Sequence, residues 1–541
     1  MQRVCAQPWC RQPFEITAGD LEFYEKISPV FNGRKEIIPP PTLCPECRQQ
    51  RRWAVRNENH LYRHTCSLTG KAMISLYAPD TPYKVLCEEA YRGNQWDPMA
   101  YGRPYDFSRP FFDQFHELLL AVPRRGLMQD ETNENCEFIT YGGNNKNCYM
   151  THGCMFCQDV YHSTRCGYLH DASDCYHTVS GELLYECINS TNCYQCAFCQ
   201  DVNNCQDSLL LDHCQACKHC IACKNLRGKE YYIYNQPMSE EQYHAFRSVL
   251  YNSALDQERA KFDIWKKDLP YPHAHLLQSE NCTGDYLNSA RNCSDCFVLH
   301  MSVEDCRYCQ CGGMQMRDMM DGTMVGMGDL IYEGVGIGPV HQGMFLVFGE
   351  HVHDVMYCTD LLHCSRCFGC TGLNHKDTCI FNRQYTKEEY EDLVPRILSA
   401  MRSTGEYGEF FPMRISTFPY SDTIAQEWFP LSASQAQSLG LRWQEEQSSV
   451  TATAGEDICI CTETGKQFKI TRQEHALCAR MELPLPTLHP SERHRRRIAR
   501  CNPFRLWTRE CAKCHRPITT SYAPERPEIV YCESCYLKEV Y

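Results

Sequence analysis

The 541-residue sequence lacks the features of a membrane-bound or secreted protein. No uninterrupted apolar run approaches the roughly 18 to 20 residues that span a bilayer, and no apolar segment follows the N-terminal residues as it would in a secretory signal. Basic residues are not in excess, since the formal net charge is −13, so any contact with nucleic acid must be local. We therefore expect a soluble, cytoplasmic protein without membrane contact.

Motifs for catalysis are also missing. The sequence has no Gly-Lys-Ser or Gly-Lys-Thr phosphate loop, and no set of Ser, His and Asp or pair of acidic residues stands out as catalytic. We therefore predict a protein that is not an enzyme.

Cysteine, in contrast, is abundant, with 40 residues. Thiols in the reducing cytoplasm seldom form disulfides, so metal binding is the first interpretation. The length predicts several domains, at about 150 residues each.

The two ends of the chain resemble each other. Residues 42–91 align without a gap on residues 487–536, with 18 identities in 50 positions. Phe14 and the three residues after it are also similar to the four residues that begin at Phe468. We infer that both ends descend from one ancestral unit.

The C-terminal copy predicts a zinc site made of four thiolates, Cys511, Cys514, Cys532 and Cys535. Two C-x2-C pairs separated by a loop can place four sulfurs around one metal. The N-terminal copy has Cys66 and Cys87 at the first position of each pair, but Thr69 and Ala90 stand at the second positions.

The N-terminal copy predicts a different site. Cys5, Cys10, Cys44 and Cys47 supply four thiolates, and a helix-like run follows them directly. This layout resembles treble-clef and zinc-ribbon fingers, and the resemblance implies a structural Zn²⁺ in each copy. The matching C-terminal positions are Cys459, Thr464, His489 and Glu492, with Cys461 as a substitute ligand.

Arginines occur three and four residues apart in both copies, and hence on one face of a helix. They are Arg48, Arg51 and Arg52 in the first copy and Arg493, Arg496 and Arg497 in the second. Such a face can contact phosphate groups of a nucleic acid. The alternative is a solvated surface or salt bridges to carboxylates of this acidic protein.

The middle of the chain repeats in threes. All fifteen cysteines from Cys136 to Cys223 lie a multiple of three residues apart, and Asn or Asp often precedes a position of this column, as at Asn147 and Asp174. A second column of apolar residues, cysteines and glycines runs in steps of three from Gly313 to Leu373. The period fits neither an α-helix nor a flat strand.

A parallel β-solenoid with rungs of nine or twelve residues would place every third side chain inward. The pattern resembles the twelve-residue solenoids of beetle antifreeze proteins in architecture only, since their threonine ladder is absent. A polyproline II bundle also repeats in threes, but it needs more glycine than the first column has. The column predicts that Val202 and Leu211 face inward, whereas the neighbouring Asn203 and Asp212 face solvent.

The two columns are related at an offset of 147 residues. Their ends share three cysteines, and both are followed by a capping box, Ser239 to Gln242 and Thr386 to Glu389, which predicts a helix after each solenoid. Two interpretations of the crowded cysteines stay open, namely packing as small apolar side chains and binding of further Zn²⁺ or an iron-sulfur cluster. The candidate extra ligands are Cys193, Cys196, Cys199, Cys214, Cys217, Cys220, Cys223, Cys364, Cys367 and Cys370.

The predicted fold class is mainly β, with two cysteine-cored triplet-repeat β-solenoids flanked by duplicated α+β zinc-finger modules and capping helices. The predicted parts are a zinc-finger module at 1–95, a linker at 96–130, solenoids at 131–237 and 276–383, a helical connector at 238–275, a capping helix with irregular connector at 384–455, and a zinc-finger module at 456–541.

The leading function is a structural or interaction scaffold that holds about two Zn²⁺ ions and binds a protein partner. One alternative is a zinc-finger factor that associates with nucleic acid or the ribosome through the basic helices. Another is a metal-storage or electron-carrying protein.

Overall fold

The computed structural model describes residues 1–250, 255–324, 326–329, 331–337, 340–341, 344–345, 347–445 and 458–540. Within these residues the protein is mainly β and contains large parallel sheets. The chain divides into two compact units. Unit 1 comprises Met1–Leu127 and Leu276–Glu445, and unit 2 comprises Met128–His275 and Glu446–Tyr541.

Short hairpins and helices form the N-terminal part of unit 1. The strands are β1 (Gln2–Val4), β2 (Pro13–Glu15), β3 (Val30–Phe31), β4 (Arg34–Lys35), β5 (Tyr62–Thr65), β6 (Ala72–Ser75), β7 (Val85–Leu86) and β8 (Arg124–Arg125), and the helices are α1 (Ala18–Ile27), α2 (Pro45–Trp53), α3 (Glu88–Arg92) and α4 (Phe111–Ala121). Consecutive strands pair antiparallel, except that β7 and β8 are parallel. The stretch predicted to be a linker thus contains α4.

A parallel sheet forms the first part of unit 2. Its strands are β9 (Gln158–Tyr161), β10 (Gly167–Ser173), β11 (Val179–Tyr185), β12 (Thr191–Ala197), β13 (Gln206–Asp212), β14 (Lys218–Lys224) and β15 (Glu230–Ile233), which β16 (Gln236–Pro237) closes antiparallel. Helices α5 (Glu240–Val249) and α6 (Leu255–Trp265) and strand β17 (Tyr271–Pro272) follow. Paired residues of the parallel strands β9 to β15 lie twelve positions apart, as Leu169 and Gly181 do.

The sheets of unit 1 follow in the chain. Their strands are β18 (Leu276–Leu277), β19 (Gly284–Asn288), β20 (Ala290–Arg291), β21 (Cys296–His300), β22 (Val303–Glu304), β23 (Gln310–Arg317), β24 (Gly326–Asp329), β25 (Gly336–Ile337), β26 (Val340–His341), β27 (Phe348–Glu350), β28 (Val352–His353), β29 (Leu361–Leu362), β30 (Ser365–Phe368), β31 (Asp377–Ile380) and β32 (Arg383–Gln384). All pair in parallel except β31 with β32. Helices α7 (Lys387–Thr404), α8 (Ile424–Trp428) and α9 (Ala433–Ser438) complete the unit.

The C-terminal part of unit 2 repeats much of the element order seen at the N-terminus. It contains β33 (Ile458–Ile460), β34 (Gln467–Lys469), α10 (Arg472–Arg480), α11 (Pro490–Ala499), β35 (Trp507–Glu510), β36 (Pro517–Thr520), β37 (Val530–Tyr531) and α12 (Glu533–Val540). At the 445-residue offset, β5, β6 and β7 coincide with β35, β36 and β37. Strand β37 pairs in parallel with β17, as β7 does with β8.

The buried core of the unit 2 sheet follows the predicted column. Ile139, Leu169, Val202 and Leu211 belong to one apolar cluster with the cysteines of that column. The residue before a column position has positive φ, for example Asn147 at 53° and Asp174 at 58°. Asn and Asp tolerate this conformation better than most residues, which accounts for their frequency at these corners.

Side chains of the column also bind backbone groups. The N–H groups of Cys148, Cys175 and Cys220 donate to the side chain twelve residues earlier: Cys136 Sγ (3.4 Å), Ser163 Oγ (3.0 Å) and Ser208 Oγ (3.1 Å). In unit 1, Cys370 N–H donates to Cys358 Sγ (3.3 Å) in the same way. Buried N–H groups need a partner, so these inward positions favour small side chains that accept hydrogen bonds.

The core of the unit 1 sheet changes phase along the chain. Buried residues run in threes from Leu287 to Leu299, then from Val303 to Cys309, and again from Met316. The pairing steps between these runs span thirteen residues, as from Ala290 to Val303, with a register shift between Gly313 and Met316. The column that we predicted from Gly313 therefore faces inward only from Met316 onwards. Its positions Val325, Gly343 and Leu346 lie outside the described residues.

Both predicted capping boxes are present. Ser239 and Thr386 accept the backbone N–H of Gln242 and Glu389, whose side chains bond back to the cap residue. Asn235 joins the last strands of the unit 2 sheet through two hydrogen bonds to the backbone of Lys224 (2.8 and 3.0 Å).

One predicted surface position is wrong. Asp212 is buried, because Lys266 and the segment that follows it cover this corner, and Lys266 Nζ lies 3.2 Å from Asp212 Oδ2. Asn203 is half-buried, whereas Asn204 is exposed. Asn204 is therefore the appropriate solvent-facing control for the column.

We predict that Val202→Asp destabilises the unit 2 sheet by several kcal/mol, because it buries an unpaired charge. Asn204→Asp adds the same charge at an exposed corner and should cost under about 0.5 kcal/mol. Native-state hydrogen exchange of β12 to β14 measures the difference locally. Equal loss of protection in both variants would contradict an inward-facing column.

Candidate metal centres

The N-terminal tetrathiolate cluster consists of Cys5, Cys10, Cys44 and Cys47. Their sulfurs all lie within 4.8 Å of one another, and Cys10 Sγ lies 3.7 Å from Cys44 Sγ. Tetrahedral zinc with Zn–S bonds of about 2.3 Å separates its sulfurs by about 3.8 Å. The cluster therefore has the spacing that a Zn²⁺ ion requires.

Local structure brings these four cysteines together. Cys5 follows β1, Cys10 lies in the turn before β2, and Cys44 and Cys47 stand at the start of α2. Cys44 N–H donates to Cys5 Sγ (3.4 Å). A hydrogen bond with the Cys47 thiol lowers the pKa of Cys44, and the positive end of the helix also favours thiolate.

The C-terminal tetrathiolate cluster, made of Cys511, Cys514, Cys532 and Cys535, has the same construction. Cys511 follows β35, and Cys532 immediately precedes α12. Cys514 Sγ lies 3.7 Å from Cys532 Sγ, and Cys532 N–H donates to Cys511 Sγ (3.2 Å). Burial acts to raise the pKa of Cys511, but backbone N–H donors led by that of Cys532 lower it to about 6.

Both clusters could bind zinc, since each supplies four cysteine sulfurs at a suitable distance. The pKa is lowered for Cys44 in the first cluster and for Cys511 and Cys532 in the second. Structural zinc sites are closed in this way, with protein ligands at all four positions. Neither arrangement leaves a position for substrate.

Two further hairpin-helix junctions have the same shape but incomplete ligand sets. Cys87 N–H donates to Cys66 Sγ (3.3 Å), where Thr69 and Ala90 replace the other two cysteines. At the second junction, Cys461 accepts a hydrogen bond from the backbone of His489.

The second junction corrects the predicted alignment. Cys459 lies inside β33, whereas Cys461 follows that strand, as Cys5 follows β1. Cys461 is therefore the structural counterpart of Cys5.

The arginines of α2 face carboxylates of unit 1. Arg48 Nε donates to Asp321 Oδ2 (2.9 Å), and an Arg52 NH group donates to Asp321 Oδ1 (3.0 Å). Arg51 pairs with Glu333 (2.6 Å) and Glu409 (2.8 Å). All three guanidinium groups are buried, so they hold α2 in place.

Helix α11 uses its arginines similarly within unit 2. Arg493 and Arg497 both pair with the buried Asp174, and Arg496 is half-exposed and pairs with Glu463 and Glu492. This arrangement matches the salt-bridge interpretation of the basic helices. Contact of these arginines with phosphate stays a prediction, and buried ion pairs do not favour it.

The candidate extra ligands in the core have a different geometry. Among the described residues, these ten cysteines do not form a group of three sulfurs within 4.8 Å of one another. Their thiols donate to backbone carbonyls, as Cys214 Sγ does to Asp212 O and Cys223 O (both 3.5 Å). Burial raises the pKa of Cys214 well above its ordinary value. Thiols that donate to backbone carbonyls in this way favour the packing interpretation.

The sequence patterns missed one group of ligand atoms. Asp201, His213 and His275 in unit 2 bring a carboxylate oxygen and two imidazole nitrogens within 4.8 Å of one another. Asp201 and His213 are twelve residues apart, so the register of the sheet contains a signal for this pair. His275 comes from another segment, and no spacing rule relates it to them.

Comparison with models of known protein families and with curated protein sequences finds no match. Among the described helices, none combines the length and the apolar character needed to cross a membrane.

We predict that Cys511→Ser removes one zinc ion per chain and exposes residues 458–540 to protease, because a structural zinc site supplies much of the folding free energy around it. Cys175→Ser is the matched control. Ser163, twelve residues earlier in the same column, shows that a serine hydroxyl is accommodated there, since it accepts the backbone N–H of Cys175. That variant should keep its zinc. Zinc analysis and limited proteolysis distinguish the two, and unchanged zinc content in Cys511→Ser would contradict the assignment of this ligand.

Proposed function

We propose that this protein is a non-enzymatic, zinc-binding structural and interaction scaffold of the cytoplasm. Each end of the chain holds one structural Zn²⁺, through Cys5, Cys10, Cys44 and Cys47 or through Cys511, Cys514, Cys532 and Cys535. The observation that carries the proposal is that each complete tetrathiolate cluster lies at the first turn of a helix that also contacts the parallel sheet of its own unit.

The contacts of these two helices support a bracing role for the metal. Helix α2 begins at the N-terminal tetrathiolate cluster and bonds to Asp321 through Arg48 and Arg52. Helix α12 begins at the C-terminal tetrathiolate cluster, and its Tyr536 hydroxyl donates to Asn225 Oδ1 (2.7 Å). A metal at the first turn fixes the direction of the helix, and hence the position of the side chains that dock.

The proposed architecture consists of one β-solenoid in each unit and a duplicated zinc-finger module at each end of the chain. The twelve-residue parallel register and the inward column are the properties of a β-solenoid, and we assign one solenoid to each unit. The equal element order at the 445-residue offset supports an internal duplication that produced two zinc-finger modules, each of which kept a different complete metal site.

A protein partner is part of the proposal. Val4, Trp9 and Ile37 are apolar residues in the N-terminal part of unit 1 whose side chains are exposed. Contact with another protein would remove such side chains from water. The nucleic-acid alternative receives less support, since the arginines that suggested it are largely paired with carboxylates inside each unit.

We predict about two tightly held zinc ions per chain, removed only by strong chelation. In the chelated protein, hydrogen exchange should speed up in α2 and α12, because their first turns lose the metal, while β10 to β14 stay protected. Mass spectrometry of the intact protein and peptide-level exchange measure both quantities. Zinc near zero in protein purified under reducing conditions, or helices unaffected by chelation, would contradict the scaffold role.

We also predict that Asp174→Ala destabilises unit 2 by about 3–5 kcal/mol, because it removes the carboxylate that two buried guanidinium groups share. Asp171→Ala is the control: it breaks a contact with the half-exposed Arg480 (2.9 Å) and should cost less than about 1 kcal/mol. Hydrogen exchange in α11 measures the effect.

The ion pairs of Asp174 with Arg493 and Arg497 also predict a pH dependence of stability. Burial acts to raise the pKa of Asp174, but Arg493 and Arg497 outweigh it and hold this pKa below its ordinary value. A lowered folded-state pKa gives stability that is present above about pH 4 and lost as the pH falls below it. Exchange in α11 that accelerates between pH 8 and pH 5 instead would contradict the ion pair.

A further inference from the structure

One group of ligand atoms in unit 2 contains no cysteine. Asp201 and His213 stand at the same corner of consecutive turns of the chain, with φ of 56° and 53°, and the twelve-residue register places them side by side. His275 reaches them from the segment after β17, which pairs with β37. Their ligand atoms all lie within 4.8 Å of one another.

The carboxylate of Asp201 has one oxygen without a donor. Its Oδ1 accepts a hydrogen bond from Asn189 Nδ2 (3.2 Å). Its Oδ2 is buried and accepts no hydrogen bond from any described residue, and the side chain is only 3% exposed. Oδ2 lies 3.7 Å from His213 Nε2. A buried, unpaired carboxylate oxygen is costly, and a cation would remove that cost.

Each of the two imidazole rings also places a nitrogen within 4.8 Å of a carboxylate oxygen of Asp201. His213 Nδ1 donates to Asp212 Oδ1, so its Nε2 carries the free lone pair in the neutral ring. His213 Nε2 lies 2.8 Å from His275 Nε2. A carboxylate that bonds the far nitrogen of a histidine is the usual outer support of a metal ligand.

We propose that Asp201, His213 and His275 form a third metal centre, which takes a divalent first-row transition ion through two imidazole nitrogens and one carboxylate oxygen. With metal–nitrogen bonds of about 2.0–2.1 Å in tetrahedral geometry, the two Nε2 atoms move apart by about 0.5 Å. Nitrogen and oxygen donors suit Zn²⁺, Fe²⁺ and similar ions. Three protein ligands leave a coordination position for water or a small ligand.

The two lysines near the site, Lys266 and Lys224, bond to other groups. Lys266 Nζ pairs with Asp212 (3.2 Å) and Asp263 (2.9 Å), and Lys224 Nζ donates to the carbonyls of Lys266 and Leu269 (3.0 and 3.2 Å). None of these lysine contacts involves an oxygen of Asp201. Without a metal, the two histidines would instead form a simple hydrogen-bonded pair.

The test uses the full chain with zinc retained in its two tetrathiolate clusters. A mild chelator strips ions held by nitrogen and oxygen, and Co²⁺ is then titrated in, since cobalt binds thiolate sites less tightly than zinc does. We expect about one further equivalent of Co²⁺ with visible d–d bands and no thiolate-to-cobalt charge transfer. Absence of that equivalent in the wild type would overturn the proposal, whatever the zinc content.

Variants identify the ligands. Asp201→Asn and His275→Ala should each abolish cobalt binding, and Asp212→Asn should weaken it about 10- to 100-fold through His213. His515→Ala removes a histidine whose side chain is 77% exposed and should change nothing. Retained zinc shows that each variant is folded. Cobalt binding that survives in both Asp201→Asn and His275→Ala would also overturn the proposal, whereas loss of zinc alone would count against the tetrathiolate centres.

Discussion

The hydrogen bond from an inward backbone N–H to the side chain twelve residues earlier is the constraint on which much of this structure depends. At Cys148, Cys175 and Cys220 the acceptor is a sulfur or a hydroxyl of the same column. A narrow core therefore needs side chains that are small, nearly apolar and able to hydrogen-bond. Cysteine meets all three conditions, so the packing interpretation is consistent with its abundance in the middle of the chain.

The same register determines what the corners present to the rest of each unit. The residue before each inward position has positive φ, and Asp174 and Asp321 occupy two such corners. Each receives two arginines from one helix, Arg493 and Arg497 in unit 2 and Arg48 and Arg52 in unit 1. A buried aspartate with two guanidinium partners fixes the position of the helix relative to one corner of the parallel sheet. Helix α2 also begins at a tetrathiolate cluster that could bind zinc, whereas the second cluster lies at the start of α12, which docks through the Tyr536 hydroxyl.

Spacing in the sequence was sufficient for some features and insufficient for others. The C-x2-C pairs predicted the cluster of Cys511 to Cys535, and one C-x4-C pair with one C-x2-C pair predicted that of Cys5 to Cys47. The period of three predicted the column. All of these patterns depend on residues that are close in sequence. The phase change near Val303 was missed, since thirteen-residue steps interrupt the period. Asp212 was misplaced on the surface because its burial depends on a distant segment, and His275 was missed for the same reason.

Bracing of α2 and α12 by two tetrathiolate zinc centres requires that sulfur alone binds the zinc. X-ray absorption at the zinc edge of the purified full chain, after removal of ions held by nitrogen and oxygen ligands, tests it most directly. We expect a coordination shell of about four sulfurs at about 2.3 Å. A first shell dominated by nitrogen or oxygen at about 2.0 Å would contradict it.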